Sequence, residues 1–286
     1  MPGCDGSGLV LAVGSEVTDF RVGDRIVTLV FDQGSDDNAL PDLSIVTRAL
    51  GHGVDGTLQS HAIFPATSLA QAPTALDFIT SSTLSCTWIT AWNALFGIQG
   101  KSVAAGDWVL VEGTGGVSVA ALQIAIAVGA TVVATTSSDS KASKLKELGA
   151  SHVVNYRNNA DWGKEAQDLT PARRGFDHII DVAGDSTLQQ SLAAVRTDGV
   201  ISLIGKLGGR EATVPLMATF DKTCIVRGIL AGSRAQMREV VKFIDRHNIT
   251  PVVDDVVFEL EDAKNAYLRL KEQKHFAKVV LRISHD

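Results

Sequence analysis

In the middle of the chain, short apolar runs alternate with longer stretches whose apolar positions recur at helical spacing. The runs at 109–112, 132–136, 152–155, 178–182, 200–204 and 225–230 predict strands, and the segments 117–128, 140–148, 160–169 and 187–195 predict helices. Two parallel strands can be joined only by a crossover, and a helix of this length supplies one. The pattern therefore predicts an α/β fold with a doubly wound parallel sheet. The runs at 179–182 and 200–204 are apolar without alternation, which suits strands covered on both faces.

The flanks read differently. Residues 8–14, 22–30 and 58–64 are short apolar runs set between glycines and polar turns, and they predict strands without intervening helices. Residues 32–50 are polar and irregular, a surface loop. The stretch 76–96 has helical spacing and ends near Gly97 and Gly100. After the strand–helix alternation come a helix over 234–247, a strand over 252–258, a helix over 261–271 and a last strand over 278–283. This tail either extends the sheet or returns to the first β-rich part; spacing leaves both open. The division expected is 1–85, 86–232 and 233–286.

The most informative stretch is Trp108-Val-Leu-Val-Glu112 running into Gly113-Thr-Gly-Gly-Val-Ser118. A strand that turns at once into a helix needs a sharp bend, and glycine supplies it. The helix start then presents free N–H groups and the positive end of its dipole, while bare glycines let a pyrophosphate come close. Gly113, Gly115 and Ser118 form a G-x-G-x-x-S pattern, with Ser118 small enough for helix–strand packing; Gly116 and Val117 open the helix. The strand before and the second strand after give the pattern the context of a dinucleotide site.

Which dinucleotide is set at the end of the second strand, where a carboxylate would hold the ribose hydroxyls of NADH. Here that strand ends Thr135-Thr136-Ser137-Ser138, and Asp139 falls later, where it is expected to cap the next helix. Hydroxyls from Thr136, Ser137 and Ser138 with the nearby cation of Lys141 suit a 2′-phosphate, so NADPH is the expected cofactor.

Composition narrows the classes. The chain of 286 residues carries a net charge of −6 and no dense Lys/Arg block, which argues against a nucleic-acid surface. No apolar run is long enough to span a membrane, and the first residues do not read as a secretion signal. Three widely spaced cysteines, Cys4, Cys86 and Cys224, suit a reducing compartment, so a cytoplasmic protein is expected.

Pro2-Gly-Cys-Asp-Gly-Ser-Gly8, Val22-Gly-Asp-Arg25, Asp55-Gly-Thr57, Thr90-Ala-Trp-Asn-Ala-Leu95, the glycine loop, Leu148-Gly-Ala150 with Val154-Asn-Tyr156, and Lys274-His-Phe-Ala-Lys278 run in one order along the chain. In this it resembles the medium-chain dehydrogenase/reductases, in particular their zinc-free quinone-oxidoreductase-like and enoyl-reductase-like branch. The resemblance implies a GroES-like β domain, a Rossmann domain, and a C-terminal return to the first. It places Thr90 near the nicotinamide carboxamide, Lys141 and Tyr156 on the 2′-phosphate, Gly205 and Leu230-Ala-Gly232 beside the nicotinamide, and Phe276 and Lys278 in a cofactor-contacting stretch. Thr90 and Asn93 are candidates to polarise the substrate oxygen. Members of the family carry further strands before the Pro-Gly-x-Asp motif, so the resemblance implies an incomplete, N-terminally truncated GroES-like domain. Zinc-dependent relatives bind their metal where Cys4, Asp5 and Cys86 stand; the His of that set is missing, and no metal is expected. The expected activity is NADPH-dependent hydride transfer to an enone, a quinone or an aldehyde or ketone, in a possible homodimer. A zinc-dependent alcohol dehydrogenase and a non-catalytic NADPH-binding protein stand as alternatives.

Overall fold

A computed structural model describes residues 1–32, 34–208 and 214–284. In chain order its elements are β1 (Ser7–Leu9), β2 (Arg25–Thr28), β3 (Leu69–Gln71), α1 (Phe78–Ser81), a π-helical turn (Leu84–Trp88), α2 (Ile89–Phe96), β4 (Trp108–Glu112), α3 (Gly116–Val128), β5 (Thr131–Thr136), α4 (Asp139–Glu147), β6 (His152–Asn155), α5 (Trp162–Asp168), β7 (Phe176–Asp181), α6 (Leu188–Ala194), β8 (Val195–Leu203), α7 (Met217–Lys222), β9 (Ile225–Gly228), α8 (Arg234–His247), β10 (Val253–Glu259), α9 (Ala263–Lys271) and β11 (Lys278–Arg282). They fall into two compact units. One is built from Met1–Thr90 and Leu230–Asp286, the other from Ala91–Ile229.

The Ala91–Ile229 unit holds six parallel strands in the order β6-β5-β4-β7-β8-β9. This is the doubly wound Rossmann arrangement, with the reversal of strand order between β4 and β7. Leu110, Val133, Ile179 and Ile201 from four neighbouring strands are fully buried in one cluster with Phe176. Each such side chain contributes roughly 1.5–3 kcal/mol of burial. At the amino end of the sheet Asp177 accepts from the Trp108 N–H at 2.8 Å and pairs with Arg174 at 2.7 Å and Arg196 at 2.5 Å, tying β7 to β4. The carboxyl ends carry the glycine loop.

In the other unit, β1, β2 and β3 form an antiparallel sheet. β10 and β11 form a parallel pair of their own and do not join the six-stranded sheet. The buried Asp254 carboxylate organises this tail, accepting from Arg269 Nε at 2.6 Å, the Phe276 N–H at 2.7 Å and the Val256 N–H at 3.1 Å. α8 opens with a capping box between Ser233 and Gln236, and its Arg234 and Arg238 both pair with Asp37.

Three expectations are corrected. Residues 58–64 are not a strand: Ile63 is fully exposed, and the free edge of β2 is taken by β3, with Ile26 opposite Gln71. The run 8–14 pairs only at its start, and Leu11 and Val13 are exposed. The helical stretch 76–96 is broken by the π-helical turn.

Candidate cofactor site

β4 delivers the chain to Gly113, whose φ of +79° only glycine adopts without strain. Gly115 is the N-cap of α3, and no side chain caps that helix. A Cβ added at Gly113 or Gly115 would meet nothing within 4 Å. The open space before these glycines and the free N–H groups at the helix start, Gly116 and Val117, form a cradle that a side chain would fill, of the kind that receives an anion. Ser118 faces the other way: it is buried, and its hydroxyl donates to the Glu112 carbonyl at 2.6 Å, holding helix to strand. The Gly113 N–H donates to the Thr135 carbonyl at 3.0 Å and fixes the loop against β5.

The end of β5 lies beside this loop in the sheet. Thr136 is buried, and its hydroxyl accepts from the Ser138 N–H at 3.3 Å. Ser138, not Asp139, is the N-cap of α4, and its hydroxyl meets that of Ser140 at 2.8 Å. Asp139 stands in the first turn of α4 and accepts from Asn155 Nδ2 at 3.0 Å. Ser137 and Lys141 are half-buried. Tyr156 follows β6, with its N–H on the Thr136 carbonyl at 3.1 Å and its side chain exposed. The residues expected around a 2′-phosphate thus stand at the carboxyl ends of two adjacent strands. Gly205 follows β8, where a Cβ would lie 2.3 Å from the Val182 carbonyl oxygen, so close packing of two loops requires glycine. Asn93 is buried, and Arg227 donates to its Oδ1 at 2.7 Å and its carbonyl at 3.0 Å.

The remaining expected residues belong to the other unit. Thr90 is buried, and its hydroxyl donates to the Cys86 carbonyl one turn back at 2.6 Å. Leu230 begins the returning segment, and at Gly232 a Cβ would meet Gln236 Oε1 at 2.5 Å. Phe276 is buried. The Lys278 ammonium pairs with the Asp5 carboxylate. Burial opposes that charge, but Asp5 more than offsets it, and the amine titrates above its ordinary value. Cys4 Sγ donates to Asp5 Oδ1 at 3.2 Å. Its hydrogen bond with Cys86, then burial, push the Cys4 thiol up, while the same bond brings Cys86 down.

Among the described residues no group of three His, Cys, Asp or Glu is placed to hold a metal, and the Asp5 carboxylate is paired with the Lys278 ammonium.

One constellation lay outside the sequence reading. Glu112 ends β4 and Asp181 ends β7, and both are buried at the point where strand order reverses. Ser191 of α6 stands between them, 2.7 Å from Glu112 Oε1 and 2.9 Å from Asp181 Oδ2. A carboxylate before a glycine loop was the available signal, but its partner is assigned only by the sheet order.

Comparison with known proteins fits this geometry. Residues 1–74 match the alcohol dehydrogenase GroES-like domain, and residues 116–246 match the zinc-binding dehydrogenase family. A zinc-type alcohol dehydrogenase-like protein of Schizosaccharomyces pombe, C1773.06c, is 41% identical, over 99% of this chain and 82% of its own. The chain belongs to the medium-chain dehydrogenase/reductase superfamily. A solved protein of this kind from Sinorhizobium meliloti 1021 superposes with a TM-score of 0.90 at 39% identity, covering 99% of this chain and 81% of that one. An NAD-dependent alcohol dehydrogenase superposes with a TM-score of 0.86 at 32% identity, covering 99% and 82%. The chain is accordingly an alcohol-dehydrogenase-like oxidoreductase of a superfamily that binds a nicotinamide cofactor. Among the described residues no helix is long and apolar enough to cross a membrane.

Proposed function

We propose that this medium-chain dehydrogenase/reductase uses NADPH to reduce an enone, a quinone or an aldehyde or ketone, without a metal. The observation that carries the reading is the end of β5. Thr136, Ser137 and Ser138 present hydroxyls there, Lys141 adds a cation within the first turn of α4, and no residue of 135–138 is a carboxylate. Hydroxyls and an ammonium hold a 2′-phosphate, whereas a carboxylate would repel it. Tyr156 adds a phenol at the neighbouring strand end. The glycine cradle and the uncapped start of α3 hold the pyrophosphate. NADPH, when bound, supplies the hydride from its nicotinamide ring. The chain's own part is to bind, orient and exclude water. Thr90 and Asn93 are the proposed substrate-side groups, with Gly205, Leu230, Gly232, Phe276 and Lys278 as further cofactor contacts. Zinc finds little support, since Asp5 is paired with Lys278. The unpaired cysteines support a cytoplasmic setting. Exposed Leu216, Met217 and Phe220, near edge strand β9, support a homodimer.

The test is a pair of titrations with NADPH and NADH followed by nicotinamide fluorescence, together with the metal content of the purified protein. Preferential binding of NADPH and no stoichiometric zinc are expected. The likeness to an NAD-dependent alcohol dehydrogenase favours NADH as the second reading, and equal or tighter NADH binding would establish it. Tight NADPH binding without turnover of any enone, quinone or aldehyde would leave a binding protein.

A further inference from the structure

Ser191 carries one hydroxyl proton, yet its oxygen lies within hydrogen-bond distance of two buried carboxyl groups, Glu112 and Asp181. One proton cannot serve both. Asp181 has the fuller set of donors: its Oδ1 accepts from the Gly184 N–H at 2.9 Å, the Ala183 N–H at 3.2 Å and the Thr187 hydroxyl at 2.7 Å. Glu112 has a smaller set among the described residues, the Ser191 and Thr187 hydroxyls with no backbone N–H. Among the described residues its buried Oε2 has no hydrogen-bond partner, and an ionised carboxylate there would be desolvated and uncompensated. A proton on Glu112 resolves the count. Glu112 Oε1–H then donates to Ser191 Oγ, and Ser191 Oγ–H donates to Asp181 Oδ2.

We propose that Glu112 is a positioning residue for the cofactor: as a neutral acid it ties β4, α6 and β7 together beneath the glycine cradle, and loss of its proton releases the cofactor. The inference rests on the reading that this cradle holds the pyrophosphate of NADPH. Glu112 is the residue before Gly113, so its ionisation would place a second buried negative charge at the foot of a loop that must accept an anion. Burial first, and then the charge of Asp181, push its carboxyl well above the ordinary value. Among the described residues the titratable groups around it are few. α3 and α6 carry no titratable side chain, β5 places Thr135 opposite Glu112, and Asp185 lies in the turn before α6. His178 is in register with Val109, so His178, Asp177 and Asp107 stand at the amino end of the sheet, away from Glu112.

The experiment measures NADPH and NADH affinity across neutral to alkaline pH for the wild type, Glu112→Gln and Glu112→Ala. Infrared spectra of the wild type and the Gln variant accompany it. If only the protonated form binds, wild-type Kd rises roughly tenfold per pH unit above the Glu112 pKa. Glu112→Ala should bind more weakly at every pH. Glu112→Gln supplies a fixed N–H donor, so it should rescue binding and abolish the alkaline loss. A carboxylic-acid carbonyl band should be present in the wild type at neutral pH and missing from the Gln variant. Wild-type affinity that stays flat with pH, a parallel alkaline loss in Glu112→Gln, or no such band would overturn the proposal. No binding of either cofactor at any pH would instead count against the cofactor reading, and the infrared band would still decide the protonation of Glu112.

Discussion

Replacing Gly115 with alanine separates the cofactor cradle from the fold that builds it. At Gly115 φ is −78° and ψ is 174°, an extended conformation open to any L residue. A Cβ there meets no atom within 4 Å. The substitution therefore adds neither strain nor clash to the free protein. Restricting the unfolded chain stabilises by about 0.4–1 kcal/mol, and alanine's poorer capping offsets a similar amount. We predict a melting temperature within about 4 °C of the wild type. The bound state differs on the proposed cofactor reading, in which the new methyl occupies the space through which a phosphate reaches the α3 N–H groups. Overpacking there and the loss of a charged hydrogen bond together cost about 2–4 kcal/mol, a Kd weaker by roughly 30- to 1000-fold. Gly113→Ala is the control. Its φ of +79° makes alanine strained by about 1–2 kcal/mol, so this variant should lose stability. Thermal melts and fluorescence titrations of both variants are the assay. Wild-type affinity in Gly115→Ala, or a loss of stability matching that of Gly113→Ala, would refute the reasoning.

Lys141→Ala should weaken NADPH binding by about 10- to 100-fold, through loss of a charge-assisted contact, and leave NADH binding nearly unchanged; equal weakening of both would remove the 2′-phosphate assignment. Asp254→Ala should cost about 3–5 kcal/mol in urea unfolding, since it strands the Arg269 guanidinium and the Phe276 N–H. Burial opposes the Asp254 charge, but Arg269 and those N–H donors outweigh it and hold its carboxyl below the ordinary value. Its stabilisation is thus present above the unfolded carboxylate pKa and lost as pH falls through the folded one. The gap between wild type and variant should close below about pH 4.

The Rossmann sheet was legible because each of its strands and helices is specified locally. The loop at 113–118 shows why: a positive φ at Gly113, a bare N-cap at Gly115 and a small Ser118 are all properties of single positions. The first β-rich part was less legible. An apolar run at 58–64 has strand character, but whether it pairs depends on which segment reaches β2, and Leu69–Gln71 does. Asp139 shows a smaller form of the same limit, since Ser138 and Asp139 are both good caps by residue type and it is Ser138 that takes the position. The Glu112–Ser191–Asp181 chain and the pairing of Lys278 with Asp5 join residues far apart in sequence. No local pattern announces them, because topology creates both.

The Met1–Thr90 segment shares its unit with Leu230–Asp286, through pairs such as Asp5 with Lys278 and Asp37 with Arg234. Ala91–Ile229 is one uninterrupted stretch. On the ribosome the inserted unit therefore has its whole sequence available while its host still lacks α8 and β11. Until α8 and β11 emerge, Asp37 and Asp5 of the Met1–Thr90 segment stand without Arg234 and Lys278, so that segment needs protection from aggregation for longer than Ala91–Ile229 does.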